Sequence, residues 1–500
     1  MEKLFEYLRK LILGADNRVV CLGKTATWVL IFLFPVALFA GGEGTVITNV
    51  SEKTAATVDL ENFLENSFVA SPDNGRLAFI EKKPDGFSLV LDSKARGPYV
   101  RMNPPIFSAD GKRVVYTAEV DGKITLVVDD KVIKGYDGIG SNIVFSNDGK
   151  HLAFTAQTGE NWSVIVDDKK QGEYGGILAG SLKYGSDGKN LVYVATTEEG
   201  VFAVLNGKEQ KKYNGIGTMI FFSPDGKRLA YNARIGNKWF VVVDGKEGKQ
   251  YDSILKNSLV FSPDGKRVAY AARTGDKRIV VIDDVEKEKF DVLICVPVFS
   301  PDGKRVGYGV KDGEKAFVVI DGKKSKEYDG VGADTIVFSP DSKRTAYAAR
   351  QNGEWFVVTD DKEGKKYKGI SKGSPIFSPD GKHLAYTAEM EGQLYPNYVV
   401  VVDEKEGKVR QDVLEGTMAF SPDGNHVAYG SRIIYAKSPM PEQKWFVVVD
   451  EAEGRDYTYL ITTGGGRIRF VDNANIQYLA AKGPQIFSVQ DKIEKKGGGK

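Results

Sequence analysis

A chain of 500 residues, 42% hydrophobic and 27% charged, has the composition of a globular protein with ample material for a core. Its 69 basic and 67 acidic residues give a net charge of +2, which leaves no one-signed field for nucleic acid or an anionic membrane surface to recognise. Two cysteines exclude a disulfide-built scaffold.

Residues 1–42 come first. Lys3, Arg9, Lys10, Arg18 and Lys24 precede an uncharged run, Thr25 to Gly42, with the core WVLIFLFPVALFA. The run is short for a bilayer, which takes about 20 apolar residues. Pro35 interrupts it, and the small residues Ala40, Gly41 and Gly42 follow. The pattern reads as an export signal, cleaved or kept as an N-terminal membrane anchor, and places the rest of the chain in the periplasm, cell envelope or medium. Any membrane contact is expected through this segment alone. Cys21 lies before it; Cys295, inside the apolar VLICVPVF, reads as core packing.

Residues 43–66 form a polar lead-in, and residues 67–490 are one repeat written over and over. The copy FSPDGKRLAYNARIGNKWFVVVDGKEGKQYDSIL, Phe222 to Leu255, shows its parts. A short apolar strand a, such as Leu259 to Phe261, reads as buried on both faces. A Ser-Pro-Asp-Gly turn follows, in which Pro fixes φ, Asp accepts local hydrogen bonds and Gly takes positive φ. Arg228 to Ala233 alternates with period two as strand b, and Trp239 to Val243 is strand c. A DGKEG turn then leads to an outer strand d, Lys249 to Ser253.

The turn aspartate recurs at Asp73, Asp110, Asp148, Asp187, Asp225, Asp264, Asp302, Asp341, Asp380 and Asp423, in steps of 37 to 43 residues, and a degenerate copy follows near Phe470 to Ala481. Other columns keep register: Trp162, Trp239 and Trp355, and Tyr136, Tyr174, Tyr213, Tyr251, Phe290, Tyr328 and Tyr367. Four short strands per unit of about 40 residues cannot hide their faces alone and must stack on neighbours, which is the pattern of propeller blades.

The SPDGK turn with its alternating strand resembles the PD40, WD40-like repeat of the TolB propeller and of propeller domains attached to prolyl-oligopeptidase-type peptidases. The resemblance spans roughly residues 65 to 490. The ordinary WD40 dipeptides are missing, and neither the TolB α/β domain nor a peptidase domain is expected in the chain. The resemblance implies an all-β propeller of about eleven four-stranded PD40-type blades, in one large ring or two tandem rings. Thr45 to Leu60 is expected to supply the outer strand that the last unit lacks. Residues 491–500 read as a flexible tail.

No catalytic, cofactor-binding or metal-binding set emerges. His151, His383 and His426 each fall three residues after a turn aspartate, in a column otherwise filled by Arg76, Arg113, Arg228, Arg267, Arg305 and Arg344, and read as exposed residues at a strand start. There is no nucleophile elbow, P-loop or calcium loop. Turn formation accounts for the repeat-column aspartates without a paired-carboxylate active site.

The turns a to b and c to d share one face, nearly uniform from copy to copy. Loops b to c and d to a share the other, where the position nine after the aspartate varies: Glu119, Gln157, Thr196, Arg234, Arg273, Arg350, Glu389 and Arg432. Insertions MEGQLYPNY and IIYAKSPMPEQKW lie there too. Arg234, Trp239, Arg273, Arg350, Trp355, Tyr395, Tyr398, Arg432, Tyr435 and Trp445 are the candidate partner-binding residues, with the tryptophans reading also as structural aromatics that cover the rim and the varied column also as an unconstrained solvated loop. The expected function is a non-catalytic exported scaffold holding a protein partner; the alternative is a propeller that binds or cleaves carbohydrate. No cofactor is expected.

Overall fold

The computed structural model describes residues 45–64, 66–392, 396–435, 442–462 and 464–495. The segment read as an export signal, Cys21, Tyr395, residues 436–441 of the second insertion and the last five residues lie outside them. Among the described residues every element is a strand, and the strands form eleven antiparallel sheets, ten of them meanders in chain order and the eleventh holding the first strand of the chain against the last.

Strand a is the innermost edge and differs from its sequence reading. In the sixth sheet it is split into Ser253–Ile254, opposite Arg273 and Ala272, and Val260–Phe261, opposite Ala269 and Val268. A turn through Asn257, at φ 58°, separates the pieces. Ser258 stitches that turn to strand b: its Oγ donates to Leu255 O at 2.7 Å and accepts from Ala271 N at 3.0 Å. Ser253, read from sequence as the end of strand d, begins strand a instead. Val260 and Phe261 are half-buried, not fully buried, because an edge strand has a neighbour on one side only.

Strand b corrects a second expectation. Its period of two reads as one buried and one wet face, yet Leu229 to Ala233 are all buried. The alternation is between large and small. Leu229, Tyr231 and Ala233 pack on Val192 and Val194 of the fourth sheet, while Ala230 packs under Val268 and Tyr270 of the sixth. The next seam repeats this, with Ala269 and Ala271 receiving Val306, Tyr308 and Val310. A bulky face thus enters a small face at each seam, as close packing demands. At Gly307 of the seventh sheet, an added Cβ would come 2.6 Å from Ile320 Cδ1 and 3.2 Å from Ile336 Cγ2, so the small face leaves no room for growth.

Core clusters join each sheet to the next from the first to the eleventh. A further cluster joins the eleventh to the first, through Ile461, Leu479 and Ile486 on one side and Ala70, Leu77 and Phe79 on the other. The eleventh sheet is completed from the other end of the chain. Thr45–Thr57 pairs antiparallel with Gln485–Lys495 as its outermost strand. Asn49 Nδ2 donates to the buried Asp491 at 2.9 Å, and Tyr478 donates to the same carboxylate at 2.6 Å. Asp491 to Lys495, expected to start a flexible tail, are instead the paired end of a strand, because Thr45–Asn49 offers them a ladder.

Removing residues up to Thr57 strips this strand and bares the edge of Gln485–Lys495. We expect a lower unfolding midpoint and concentration-dependent association, since an unpaired edge templates pairing with other chains. Thermal melts with size-exclusion chromatography at two concentrations check it; a shortened chain as stable and monomeric as the full one would contradict the closing role.

Candidate functional site

The repeated Ser-Pro-Asp-Gly-Lys-Arg segment builds the uniform face. In the sixth sheet Ser262 Oγ donates to Asp264 Oδ1 at 2.6 Å and accepts from Arg267 N at 2.9 Å. Asp264 also accepts from Lys266 N at 3.1 Å, and Gly265 turns at φ 72°. The serine hydroxyl, then the backbone N–H, hold the Asp264 carboxyl below its ordinary range. The same network recurs at Asp110, Asp148, Asp225, Asp302, Asp341 and Asp380 with the same direction and cause.

The arginine column is a clasp between sheets, not a row of free exposed residues. Arg267 Nε donates to Asp283 Oδ2 at 2.8 Å on its own sheet. Its Nη1 reaches across to Gly303 O at 3.2 Å and Lys304 O at 2.6 Å in the next turn, and the guanidinium lies 5.1 Å from the Phe299 ring centre. Arg76, Arg113, Arg228, Arg305 and Arg344 do the same at their seams. Deeper in most seams, an aromatic on strand d meets one on strand b of the next sheet. Tyr251 and Tyr270 are 6.2 Å apart, Tyr328 and Tyr347 6.5 Å, and Tyr367 and Tyr386 6.2 Å, all edge to face.

Between the ninth and tenth sheets both columns change. His383 replaces the arginine, with its Nδ1 2.5 Å from Asp403 Oδ2. Arg410 replaces the aromatic: it is 6% exposed, bonds Tyr429 Oη at 3.3 Å, and is held between Glu451, at 3.3 Å, and Glu453. Here lies a cavity of about 470 Å³, whose walls include His383, Asp403, Phe420, Gly424, Tyr429 and Glu451. Sequence reading missed Arg410 because a longer hairpin in the ninth sheet moves it out of the column counted from Asp380. Counting instead from the Tyr398–Arg410 bridge, equivalent to Trp239–Tyr251, restores it.

On the varied face, the expected residues fall into pairs within single sheets. Arg234 stands opposite Trp239 and Arg350 opposite Trp355, with each guanidinium 5.8 and 5.6 Å from its ring centre. Arg234 also donates to Gly236 O at 3.2 Å, and Arg273 to Gly275 O at 3.1 Å, capping their own hairpin turns. Arg432 is bound to Asp412 at 2.5 Å and covers Trp445 at 5.0 Å. Trp445 is only 5% exposed and packs on Tyr459. It is therefore a core residue and not a contact-surface anchor; the extended hairpin places it beneath Arg432. Tyr398 is half-buried, while Tyr435, on the same hairpin as Arg432, is 40% exposed beside Ile434. Cys295 is buried against Gly332 O at 3.1 Å, and burial pushes its thiol up to about 11. Among the described residues no group of three or more His, Cys, Asp or Glu is placed to hold a metal ion.

Four-stranded meanders stacked face to face in chain order, built on the SPDG repeat, define a β-propeller. The chain matches no protein-family model and no curated protein. Among solved structures it is similar to TolB from Acinetobacter baumannii, at 20% identity over 44% of this chain and 66% of that one, TM-score 0.25. It is also similar to the β-propeller domain of the Trilobed protease from Pyrococcus furiosus, at 18% identity over 53% and 96%, TM-score 0.27. A eukaryotic initiation factor matches at 12% identity over 68% and 96%, TM-score 0.36. The class rests on the sheets and their seams, not on these superpositions.

Two tests follow from the seams. Arg267→Ala removes a charge-assisted link, two inter-sheet hydrogen bonds and a ring contact; the groups are part-exposed, so we expect a loss of about 1–2 kcal/mol in denaturant unfolding, and no loss would remove the clasp. The turn carboxylates titrate below their unfolded values, so their stabilisation is complete above about pH 4 and is lost as pH falls through the lowered folded values. Melts at pH 7, 4 and 2.5 should show the decline mainly in the last interval.

Proposed function

We propose that the protein is one closed ring of eleven blades, exported by its N-terminal segment, and that it serves as a non-catalytic scaffold for a protein partner. The ring reading is supported by the unbroken series of seam clusters and by the cluster joining the eleventh sheet to the first. A division into two rings would require a seam without such a cluster.

The observation that carries the binding role is the pair of hairpin extensions on adjacent blades. In the ninth blade, strands Leu384–Met390 and Asn397–Val402 are joined by a longer loop than in other blades, and in the tenth, strands Val427–Tyr435 and Glu442–Val449 are themselves lengthened. Neighbouring blades hold the same loop to two residues, so length here is a local departure from a copied frame. Gln411 accepts from Ile434 N at 2.7 Å and Asp412 holds Arg432, which fixes the base of the tenth hairpin. Ile434 and Tyr435 stand exposed at the end of the described strand, apolar groups of the kind that anchor protein contacts. The carbohydrate reading lacks equivalent support, because the faces of Trp239 and Trp355 carry guanidinium groups of their own sheets.

A photo-crosslinking residue at Tyr435, compared with one at the exposed Val285 at the start of a d strand on the other face, tests this in cells. A defined adduct from position 435 alone is expected. Equal labelling from both positions, or none from either, would overturn the proposed face. Electron micrographs should show a single ring; paired small rings would refute the closure.

A further inference from the structure

We propose that the seam between the ninth and tenth blades is a binding site for a guanidinium group, supplied by an arginine side chain of a partner polypeptide or by a small guanidinium compound. The proposal rests on the reading of the protein as a binding propeller.

The repeat itself supplies the comparison. At six seams the protein places its own guanidinium in a receptor of constant composition: a carboxylate on one blade, two turn carbonyls on the next and an aromatic face beneath. Arg344 shows it one seam away, with Nε 3.1 Å from Asp360 Oδ2, Nη1 3.3 Å from Gly381 O and 2.8 Å from Lys382 O, and the guanidinium 5.1 Å from the Phe377 ring centre. At the next seam the equivalent groups are Asp403, the carbonyls of Gly424 and Asn425, and Phe420, and all four residues line the cavity of about 470 Å³. The residue that faces them is His383. Its imidazole satisfies Asp403 at 2.5 Å but carries no second donor arm that spans the seam. The two carbonyls and the aromatic face of the receptor are kept, while the guanidinium that meets them at six other seams is not, and Asp403 is shared with His383.

Negative charge around the cavity suits a cation. Glu451, Glu406 and Asp450 also line it, although each has a partner in Arg410, Lys365 and His426 respectively, and Lys405 stands beside them. The other seams without the arginine are filled differently. Between the third and fourth blades His151 lies 2.6 Å from Asp167, but Tyr184 replaces the phenylalanine and its hydroxyl is buried. Asn190 of the fourth blade reaches Gly226 O at 3.0 Å. Between the tenth and eleventh, Asp450 accepts from Thr45 Oγ1 at 3.2 Å and Ala474 O accepts from Ile493 N at 2.7 Å, so the closing strands use the receptor. The ninth-to-tenth seam joins the retained groups to a cavity of about 470 Å³.

The test is calorimetric titration of the full chain with ethylguanidinium, N-acetylarginine amide, the peptide Gly-Arg-Gly and N-acetylcitrulline amide, which has the shape of arginine without its charge. Saturable binding of the three guanidinium probes is expected, with citrulline weaker by about tenfold or more. A peptide tighter than ethylguanidinium assigns the site to a polypeptide arginine; equal affinities assign it to the guanidinium alone. His383→Arg should fill the receptor from within, abolish binding and raise the unfolding midpoint. His151→Arg, at the third-to-fourth seam, should leave binding unchanged. Should His383→Arg fold poorly, Phe420→Leu provides a second reading, with an expected loss of several-fold in affinity. Citrulline binding as well as arginine, binding unaltered in both the His383 and Phe420 variants, or no saturable binding at all would overturn the proposal. None of these outcomes depends on the crosslinking at Tyr435.

Discussion

Each sheet of this protein is buried on both faces, and neither face can be buried from within the sheet. Strand b carries that constraint in its composition: Leu229 and Tyr231 face backward, Ala230 faces forward, and the forward face accepts the bulky residues of the next copy. A fully buried valine, leucine or phenylalanine stabilises by about 1.5–3 kcal/mol, and in these blades that gain exists only at seams. Stability is accordingly a property of neighbours, as in other stacked repeats. The two ends of such a stack are the places where it would fail, and the chain removes them by pairing Thr45–Thr57 with Gln485–Lys495 and packing the eleventh sheet on the first.

Polar chemistry follows the same logic. The serine and aspartate of the turn satisfy one another and the local backbone, which frees the arginine to reach over the seam. Its two arms divide the work, Nε to its own blade and Nη1 to the next. A residue that would be a solvated charge in isolation becomes a link because the neighbouring turn presents two carbonyls at a fixed distance. Substituting histidine keeps the first arm and loses the second. At Asp403 of the same blade and Gly424 and Phe420 of the next, the groups that meet an arginine at other seams line a cavity instead.

Variation on a copied frame separates function from architecture more sharply in a repeat protein than in a single-copy fold. The strand end at Ile434 and Tyr435 and the cavity beside His383 lie on opposite ends of the same pair of blades. The Arg234–Trp239 and Arg350–Trp355 pairs, by contrast, occupy equivalent places in separate blades and brace their own hairpins. Variation at one column does not by itself make a surface; it does so where it coincides with a change of length or an altered seam.

The amino-acid sequence by itself determined the strands, the turns, their period and the need for stacking, because all of these rest on contacts within a few residues. Asp264 finds Ser262 and Lys266 two positions away, and alternation along Leu229 to Ala233 is a local pattern. Tertiary structure decided what the columns do. Arg267 meets Gly303 across 36 positions, and Arg410 comes to lie beneath Tyr429 after an insertion shifts its register. Such encounters depend on how one sheet is offset against the next, and that offset is fixed by side-chain volumes packed from both directions, which no linear reading of a single copy contains.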